Sequence, residues 1–202
     1  MQNLKIPGIL LFLAGSIALM GIITAEALYP SGTNYTTFSS EISDLGATKP
    51  PNSIIYQPSA SIFNTAMLLS GLMALTATFF QHKHFKKPAV SIPLGLFGLG
   101  LVGIGIFSGE KAPYHGMSSM LTFLSGGLSA ILSSKIVSAP FKYIGILFGS
   151  ISLATWAAAV FIPDIIFPFI GMGGTERWLV YPLVLWITGL GGYLMSKTTT
   201  VN

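Results

Sequence analysis

Residues 89–108 read AVSIPLGLFGLGLVGIGIFS, an uncharged and almost wholly apolar run that contains five glycines. A helix rises about 1.5 Å per residue, so about 20 apolar residues cross the roughly 30 Å hydrocarbon core of a bilayer. This run has the length of one crossing, and its apolar residues are continuous rather than alternating, which favours a helix over a β-barrel strand. Five further runs of the same kind occur along the chain. The predicted spans are 7–29, 54–80, 89–108, 116–135, 142–162 and 178–196.

The overall composition supports a membrane interpretation. The 202 residues are 51% hydrophobic and only 8% charged, with a mean hydropathy of +0.73. A soluble domain has about 25% charged residues, so this chain has too few polar groups to cover a surface that faces water. We therefore predict an all-α fold, with one membrane domain over residues 1–202 built as a bundle of six transmembrane helices.

The residue types also limit the chemistry. Cysteine is absent from the sequence, which excludes disulfides, thiolate catalysis and cysteine-bound metals. His82 and His84 have no third ligand nearby, and the lysines beside them would repel a metal ion, so we predict neither a metal site nor a cofactor. The basic residues are spread over short loops, so we expect membrane lipids as partners and no nucleic acid.

The charges divide between the two ends of the predicted spans. The N-terminus, the second loop, the fourth loop and the C-terminus contain seven lysines and no acidic residue, whereas the other loops contain Lys49, Lys111 and Arg177. Short cytoplasmic loops are enriched in Lys and Arg, so both termini are predicted to be cytoplasmic in a multi-pass protein of the plasma (cell) membrane. The acidic residues then lie on the outer side. They are Glu26, Glu41, Asp44, Glu110, Asp164 and Glu176.

The glycines of the third span predict close helix packing. Gly98 and Gly105 are seven residues apart and Gly109 follows four residues later, so the three share one helix face. In lipid, small residues let helix backbones approach each other and gain van der Waals contact. We expect this helix to be central in the bundle. The same face could instead join the chain to a second copy, or to another subunit, in an oligomer.

The first outer loop is the longest, and its pattern predicts a short helix on the membrane surface. Phe38, Ile42 and Leu45 recur at helical spacing, while Glu41 and Asp44 fall three residues apart on another face. The two carboxylates would then point together toward protein or water.

Polar residues from the three outer loops form a candidate site. They are Glu41, Asp44, Glu110, His115, Glu176 and Arg177. Ion pairs that cap helices and hold loops would also account for them, since charges near the bilayer are costly unless they are paired. A solvated surface is a third alternative. Glu26, at the end of the first span, is either a functional acid within the membrane or an acid that simply reaches water.

If these residues form a site, their side-chain chemistry suggests roles. The candidate catalytic residues are His115, Asp44 and Glu110, and the candidate ligand-binding residues are Glu41, Glu176, Arg177 and Ser118. His115 would act as general acid or base, oriented by a neighbouring carboxylate. Arg177, the only arginine, has a planar fork that suits a carboxylate or a phosphate. Ser118 follows His115 by about one helical turn, a spacing that permits a nucleophile–base pair.

Short motifs around these residues carry a family resemblance. They are Ile42-Ser43-Asp44-Leu45-Gly46 after the first span, Gly105-Ile106-Phe107 at the end of the third, His115 at the start of the fourth, and Glu176-Arg177 ahead of Tyr181-Pro182. Together with the six spans, this set resembles a six-helix integral membrane family catalogued as domain of unknown function nine-nine-eight. The resemblance covers nearly the whole chain. It implies a six-helix fold and a polar site, and it implies no reaction.

Three functions remain open from the sequence. The first is a protein that binds or processes a lipid or another amphiphile at the outer leaflet, through the candidate site. The second is a non-catalytic assembly subunit of a membrane complex. The third is a component of a small-molecule transporter, although the predicted spans offer no central charge along a path.

Overall fold

The computed structural model describes residues 4–197 and contains six long helices. The helices are α1 (Lys5–Ala27), α2 (Ser59–Phe85), α3 (Pro88–Ile106), α4 (Ala112–Leu132), α5 (Phe141–Phe161) and α6 (Pro163–Ser196). Two short 3-10 turns at Ser43–Leu45 and Ser133–Lys135 complete the secondary structure, and residues 4–197 contain no strand. Each of the six helices is long and apolar enough to cross a membrane. The prediction of an all-α chain with six such helices is therefore confirmed.

The second helix is shifted along the chain from its predicted span. It was expected at 54–80, and the structure has it at Ser59–Phe85. Ile54 and Ile55 are apolar but lie outside the helix, which begins directly after Pro58. A proline disfavours helical backbone angles in the residue before it, so the apolar run on its N-terminal side does not join the helix.

The helices form a closed ring. Each helix packs against the next one in sequence, and α1 packs against α6, whereas α4 and α6 touch only slightly. Neighbouring helices run in opposite directions, so the α1–α2, α3–α4 and α5–α6 connections lie at one end of the bundle. All six acidic residues lie in these connections or close to them. We call this end of the bundle the acidic end.

The first loop at the acidic end differs from its predicted form. In place of a surface helix, the structure has a single 3-10 turn at Ser43–Leu45. Ile42 and Leu45 are buried within the bundle, with exposed fractions of 2% and 0%, instead of lying on a membrane surface. Phe38, the third apolar residue of the predicted pattern, is 54% exposed, so only Ile42 and Leu45 face the interior of the protein.

The last helix is divided by a break. Gly171 has φ +75° and ψ 167°, a backbone conformation that is nearly restricted to glycine. Residues 163–170 form a short helix before this break and expose the side chains of Ile165 and Phe169. Residues 172–196 form the long helix of the ring, so this helix begins earlier than the predicted span 178–196.

Glycines bring neighbouring helices into backbone contact. A Cβ atom at Gly71 of α2 would lie 2.6 Å from the amide nitrogen of Val102 and 2.7 Å from the carbonyl oxygen of Gly98, both in α3. A Cβ atom at Gly100 would lie 2.8 Å from the amide nitrogen of Thr122 in α4. The glycines of α3 therefore serve packing against both of its neighbours within the chain.

Buried serines add hydrogen bonds between helices. The hydroxyl of Ser70 in α2 donates to the carbonyl oxygen of Ala14 in α1 at 2.8 Å, and the hydroxyl of Ser152 in α5 donates to the carbonyl oxygen of Leu179 in α6 at 2.9 Å. Both serines are fully buried. Because lipid offers no hydrogen-bonding partner, such buried hydroxyls need acceptors within the protein.

The close contact of α2 with α3 predicts a specific cost for adding one methyl group. We expect Gly71→Ala to force the two backbones apart and to lower the free energy of unfolding by about 1–3 kcal/mol. The measurement is thermal unfolding of the purified protein in detergent. Gly192→Ala is the matched control, because a Cβ atom at Gly192 would meet nothing within 4 Å. Equal melting temperatures for the two variants would contradict the prediction.

Candidate functional site

Residues 37–48 of the first acidic-end loop close the end of the bundle, and we call this segment the cap. The side chains of Ile42, Leu45 and Ala47 are at most 2% exposed. The hydroxyl of Ser59, at the start of α2, donates to the carbonyl oxygen of Leu45 at 3.3 Å. Residues 42–47 of the cap therefore pack into the protein, whereas residues 37–39 are exposed.

Glycines let the cap backbone approach two neighbouring segments. The carbonyl oxygen of Phe38 lies against Gly171, where a Cβ atom would collide with it, and accepts a hydrogen bond from the Gly173 amide at 2.9 Å. At the α3–α4 connection, the carbonyl oxygen of Ala47 lies equally close to Gly109. A side chain at Gly171 or Gly109 would push the cap out of its place.

The side chain of Arg177 binds the backbone of the cap. Its guanidinium Nη1 donates to the carbonyl oxygens of Thr37 at 3.1 Å, Ser40 at 2.9 Å and Gly173 at 2.9 Å. The residue is only 9% exposed. Two of these acceptors belong to the cap and the third to α6, so a single side chain ties the two segments together.

The second guanidinium nitrogen of Arg177 binds residues from the α1 side. Nη2 forms an ion pair with the carboxylate of Glu26 and donates to the hydroxyl oxygen of Tyr35 at 2.9 Å. The Tyr35 hydroxyl in turn donates to Glu26 Oε1 at 3.2 Å. Burial and the nearby Glu26 carboxylate raise the pKa of Tyr35, so its hydroxyl keeps its proton.

Neither Glu26 nor Tyr35 was among the predicted site residues. The sequence did contain a signal for the ion pair, because an acid at the end of an apolar span needs a partner and Arg177 is the only arginine. Tyr35 had no comparable signal, since interfacial tyrosines are common without any specific contact.

Three of the predicted carboxylates converge at the cap. Glu176 accepts a hydrogen bond from the amide of Ser43 at 3.1 Å, and the carboxylates of Glu41 and Asp44 are near enough to repel it. Glu41 forms an ion pair with Lys49, whose side chain is about half exposed. The structure therefore brings Glu41, Asp44 and Glu176 together around one compensating lysine.

Asp44 and His115 also lie near each other. The carboxylate of Asp44 accepts a hydrogen bond from the amide of Glu41 at 2.9 Å. Burial raises the pKa of Asp44, although this hydrogen bond and the nearby Lys49 and His115 oppose the rise. The His115 ring is buried, and its Nδ1 lies 2.7 Å from the carbonyl oxygen of Phe107. A carbonyl can only accept, so Nδ1 carries a hydrogen and donates it.

Two predicted residues are placed differently. The carboxylate oxygen Oε2 of Glu110 is buried and has no hydrogen-bond partner in the structure. The hydroxyl of Ser118 donates to the carbonyl oxygen of Tyr114 in its own helix at 2.8 Å, so the structure shows no hydrogen bond from it to His115. Within residues 4–197, no three histidine, aspartate or glutamate side chains are grouped so that they could hold a metal ion.

A narrow cavity of about 50 Å³ lies beneath the cap, inside the ring of helices. Its lining is apolar along most of its length, and comes from α1, α2, α3, α4 and α6. The apolar lining includes Ala14, Ala18, Phe63, Phe97, Leu101, Leu183 and Ile187. Ser43 and Glu176 line the cavity at the cap, and Glu176 is the one ionisable side chain among the described residues that border it.

These features define a multi-pass helical membrane protein whose polar residues gather over a cavity at one end of the bundle. The chain belongs to the DUF998 family, described as a protein of unknown function, whose family model matches residues 12–193. No curated protein and no solved structure matches the chain. The family match confirms the resemblance found in the sequence, and it brings no reaction with it.

The contacts of Arg177 predict that the cap depends on the guanidinium fork and not on charge alone. We expect Arg177→Lys to lower the free energy of unfolding by about 2–4 kcal/mol, because one ammonium group cannot reach all of the acceptors that the fork binds. The loosened cap should also be cleaved faster by a protease. Thermal unfolding and limited proteolysis measure the two effects.

The control for Arg177→Lys is Lys111→Gln, which changes an exposed lysine at the same end of the bundle whose amine makes one long hydrogen bond, to the carbonyl oxygen of Ile106 at 3.4 Å. An exposed contact of this kind is worth about 1 kcal/mol or less, so this variant should melt close to wild type. If the two variants lose the same stability, the central role of Arg177 is wrong.

The raised pKa of Asp44 predicts a pH-dependent stability. In the folded protein the pKa of the Asp44 carboxyl lies above its ordinary value of 3.8, which means that folding favours the protonated form. The contribution of Asp44 to the free energy of unfolding is therefore fully present below pH 3.8, and it is lost as the pH rises through the folded-state pKa. Asp44→Asn keeps an oxygen acceptor for the Glu41 amide and has no proton to lose.

Melting temperatures from about pH 3 to about pH 7 test this expectation. The difference between Asp44→Asn and wild type should grow in favour of the variant as the pH rises. A difference that stays constant across this range would show that the carboxylate of Asp44 is not disfavoured by folding.

Proposed function

We propose that the protein binds an amphiphilic molecule at the outer leaflet of the plasma membrane, with its apolar part in the cavity and its polar end at Glu176. The observation that supports this is a cavity with an apolar lining and one carboxylate at its cap end. Ligand sites are commonly apolar, with a few polar groups that fix the orientation of the ligand. The placement at the outer leaflet rests on the lysines that surround the opposite end of the bundle.

The charges at the cap suggest which polar end would bind. An ionised Glu176 can only accept hydrogen bonds, and in that form it suits a hydroxyl, amide or ammonium group. Glu41 and Asp44 add negative charge beside it and disfavour a phosphate or sulfate. The terminal nitrogens of Arg177 are not free for a ligand, because Nη1 and Nη2 already bind protein acceptors, and its Nε is buried without a hydrogen-bond partner. In this proposal Arg177 positions the cap and does not hold phosphate.

The size of the cavity limits the apolar part of the ligand. A volume of about 50 Å³ corresponds to the room of a few water molecules. The cavity as it stands therefore suits a short apolar group or the end of a longer chain. An apolar lining would keep the cavity dry, which favours an alkyl group over water.

The geometry supports binding more than processing. A reaction would need a nucleophile or a general base beside the ligand, and the hydroxyl of Ser118 is bound to its own helix. His115 does not border the cavity, and its Nδ1 donates to the carbonyl oxygen of Phe107 while the ring lies near Asp44. We therefore propose ligand binding as the function, with His115 as a residue that helps to orient the cap.

Three eight-carbon probes test the proposal: octylamine, octanol and octyl sulfate, each titrated into the protein in lipid nanodiscs. We expect octylamine and octanol to raise the melting temperature saturably, and octyl sulfate to leave it unchanged. Ala18→Leu fills the cavity and should weaken octylamine binding tenfold or more, about 1.4 kcal/mol. Glu176→Gln should reduce the preference for octylamine over octanol.

Ala154→Leu is the matched control, because Ala154 lies exposed on α5 and does not border the cavity. It should bind octylamine as wild type does. If no probe stabilises the wild type, or if both leucine variants lose binding equally, the cavity is not a ligand site. The non-catalytic assembly subunit would then be the better proposal.

A further inference from the structure

A second pocket lies on the other side of the cap from the cavity, and we call it the vestibule. Its volume is about 420 Å³, and its walls include Tyr29, Tyr35, Tyr56 and Asp44. The cavity borders Ile42 and Ser43 but not Asp44, so the vestibule is a separate space. The proposed binding of an amphiphile does not use it.

Three tyrosine rings form one wall of the vestibule. The ring centroids of Tyr29 and Tyr35 are 4.4 Å apart, and those of Tyr29 and Tyr56 are 5.1 Å apart with the planes at 65°. The Tyr35 hydroxyl is bound by Arg177 and Glu26, which fixes its position. The structure shows no hydrogen bond from the hydroxyls of Tyr29 or Tyr56 within residues 4–197. Aromatic contact places these two rings, and Tyr29 also packs against the hydrophobic core.

The charge of the vestibule is negative. Among the described residues that line it, Asp44 is the one acid and no residue is basic. The nearest basic groups are paired with other carboxylates. Lys49 pairs with Glu41 and also lies near Asp44, and Arg177 pairs with Glu26 and donates to the Tyr35 hydroxyl. A cation that enters the vestibule would therefore meet one carboxylate and the rings of three tyrosines.

We propose that the vestibule binds a quaternary ammonium group, held by Tyr29, Tyr35 and Tyr56 and by the carboxylate of Asp44. Aromatic faces attract weakly hydrated organic cations, and sites for quaternary ammonium groups combine several such rings. A metal ion would need several oxygen ligands, and the vestibule offers one carboxylate that already accepts a hydrogen bond from the Glu41 amide. The group can come from a free choline-type solute or from a phosphocholine lipid headgroup.

Choline titration followed by ¹⁹F NMR tests the proposal. The seven tyrosines are labelled as fluorotyrosine, and each resonance is assigned by a Tyr→Phe variant. In phosphatidylglycerol nanodiscs, choline should shift the resonances of Tyr29, Tyr35 and Tyr56 saturably and leave Tyr143 unmoved. 3,3-Dimethylbutan-1-ol, which has the shape of choline without its charge, should shift none of these resonances. Sodium chloride at equal ionic strength should also shift none of them.

Substitutions distinguish the contribution of a tyrosine ring to choline binding from that of its hydroxyl. We expect Tyr29→Leu or Tyr56→Leu to weaken choline binding roughly 2- to 30-fold, because a cation–aromatic contact is lost. Tyr56→Phe keeps the ring face and should bind within about twofold of wild type. Asp44→Asn should weaken choline while leaving the fold intact, since it keeps the acceptor for Glu41. Ala18→Leu, which fills only the cavity, should not change choline binding.

A comparison of lipids identifies the source of the cation. If phosphatidylcholine nanodiscs abolish the response to added choline, the lipid headgroup already occupies the vestibule. If choline binds equally in both kinds of nanodisc, the ligand is a free solute. The proposal is overturned if choline causes no saturable shift in phosphatidylglycerol, if the neutral isostere binds as well, or if Tyr56→Phe loses as much as Tyr56→Leu.

Discussion

The buried guanidinium of Arg177 is the constraint on which the acidic end depends. A charge removed from water must be paired and hydrogen-bonded, and here the acceptors are Glu26, Tyr35 and the backbone of the cap. The dependence is mutual, because the cap carbonyls of Thr37 and Ser40 belong to no helix or strand and accept hydrogen bonds from Arg177. Arg177 thus fixes the position of the cap over the bundle.

The cap is thin where it separates the two pockets. Ser43 borders the cavity on one side, and Asp44, the next residue, borders the vestibule on the other. One 3-10 turn of three residues forms this partition, and Glu176 holds it from the cavity side through the Ser43 amide. The turn therefore contributes to the walls of both pockets.

The sequence predicts the helices well and the cap poorly, for different physical reasons. An apolar run of about 20 residues specifies a crossing helix locally, because the bilayer leaves few alternatives. The cap is held by contacts between distant residues: Glu26 and Arg177 are 151 positions apart, and Ser43 and Glu176 are 133 apart. The sequence placed Glu41, Asp44 and Glu176 at the same end of the predicted spans, and this was enough to group them. Their shared position could not reveal that the cap turns inward at Ile42 rather than lying on the membrane.

Two energetically unfavourable features lie at the same place in the bundle: an unfilled cavity and a carboxylate beside its apolar walls. The helices pack closely enough for backbone contact at Gly71 and Gly100, yet small residues such as Ala14 and Ala18 leave a cavity nearby. An unfilled space forfeits dispersion contacts, and a carboxylate beside apolar walls loses solvation. A single larger side chain at Ala18 would remove the first cost. Proteins commonly depart from good packing and from polar satisfaction where they bind ligands, so the coincidence of both departures beneath the cap argues for a site there.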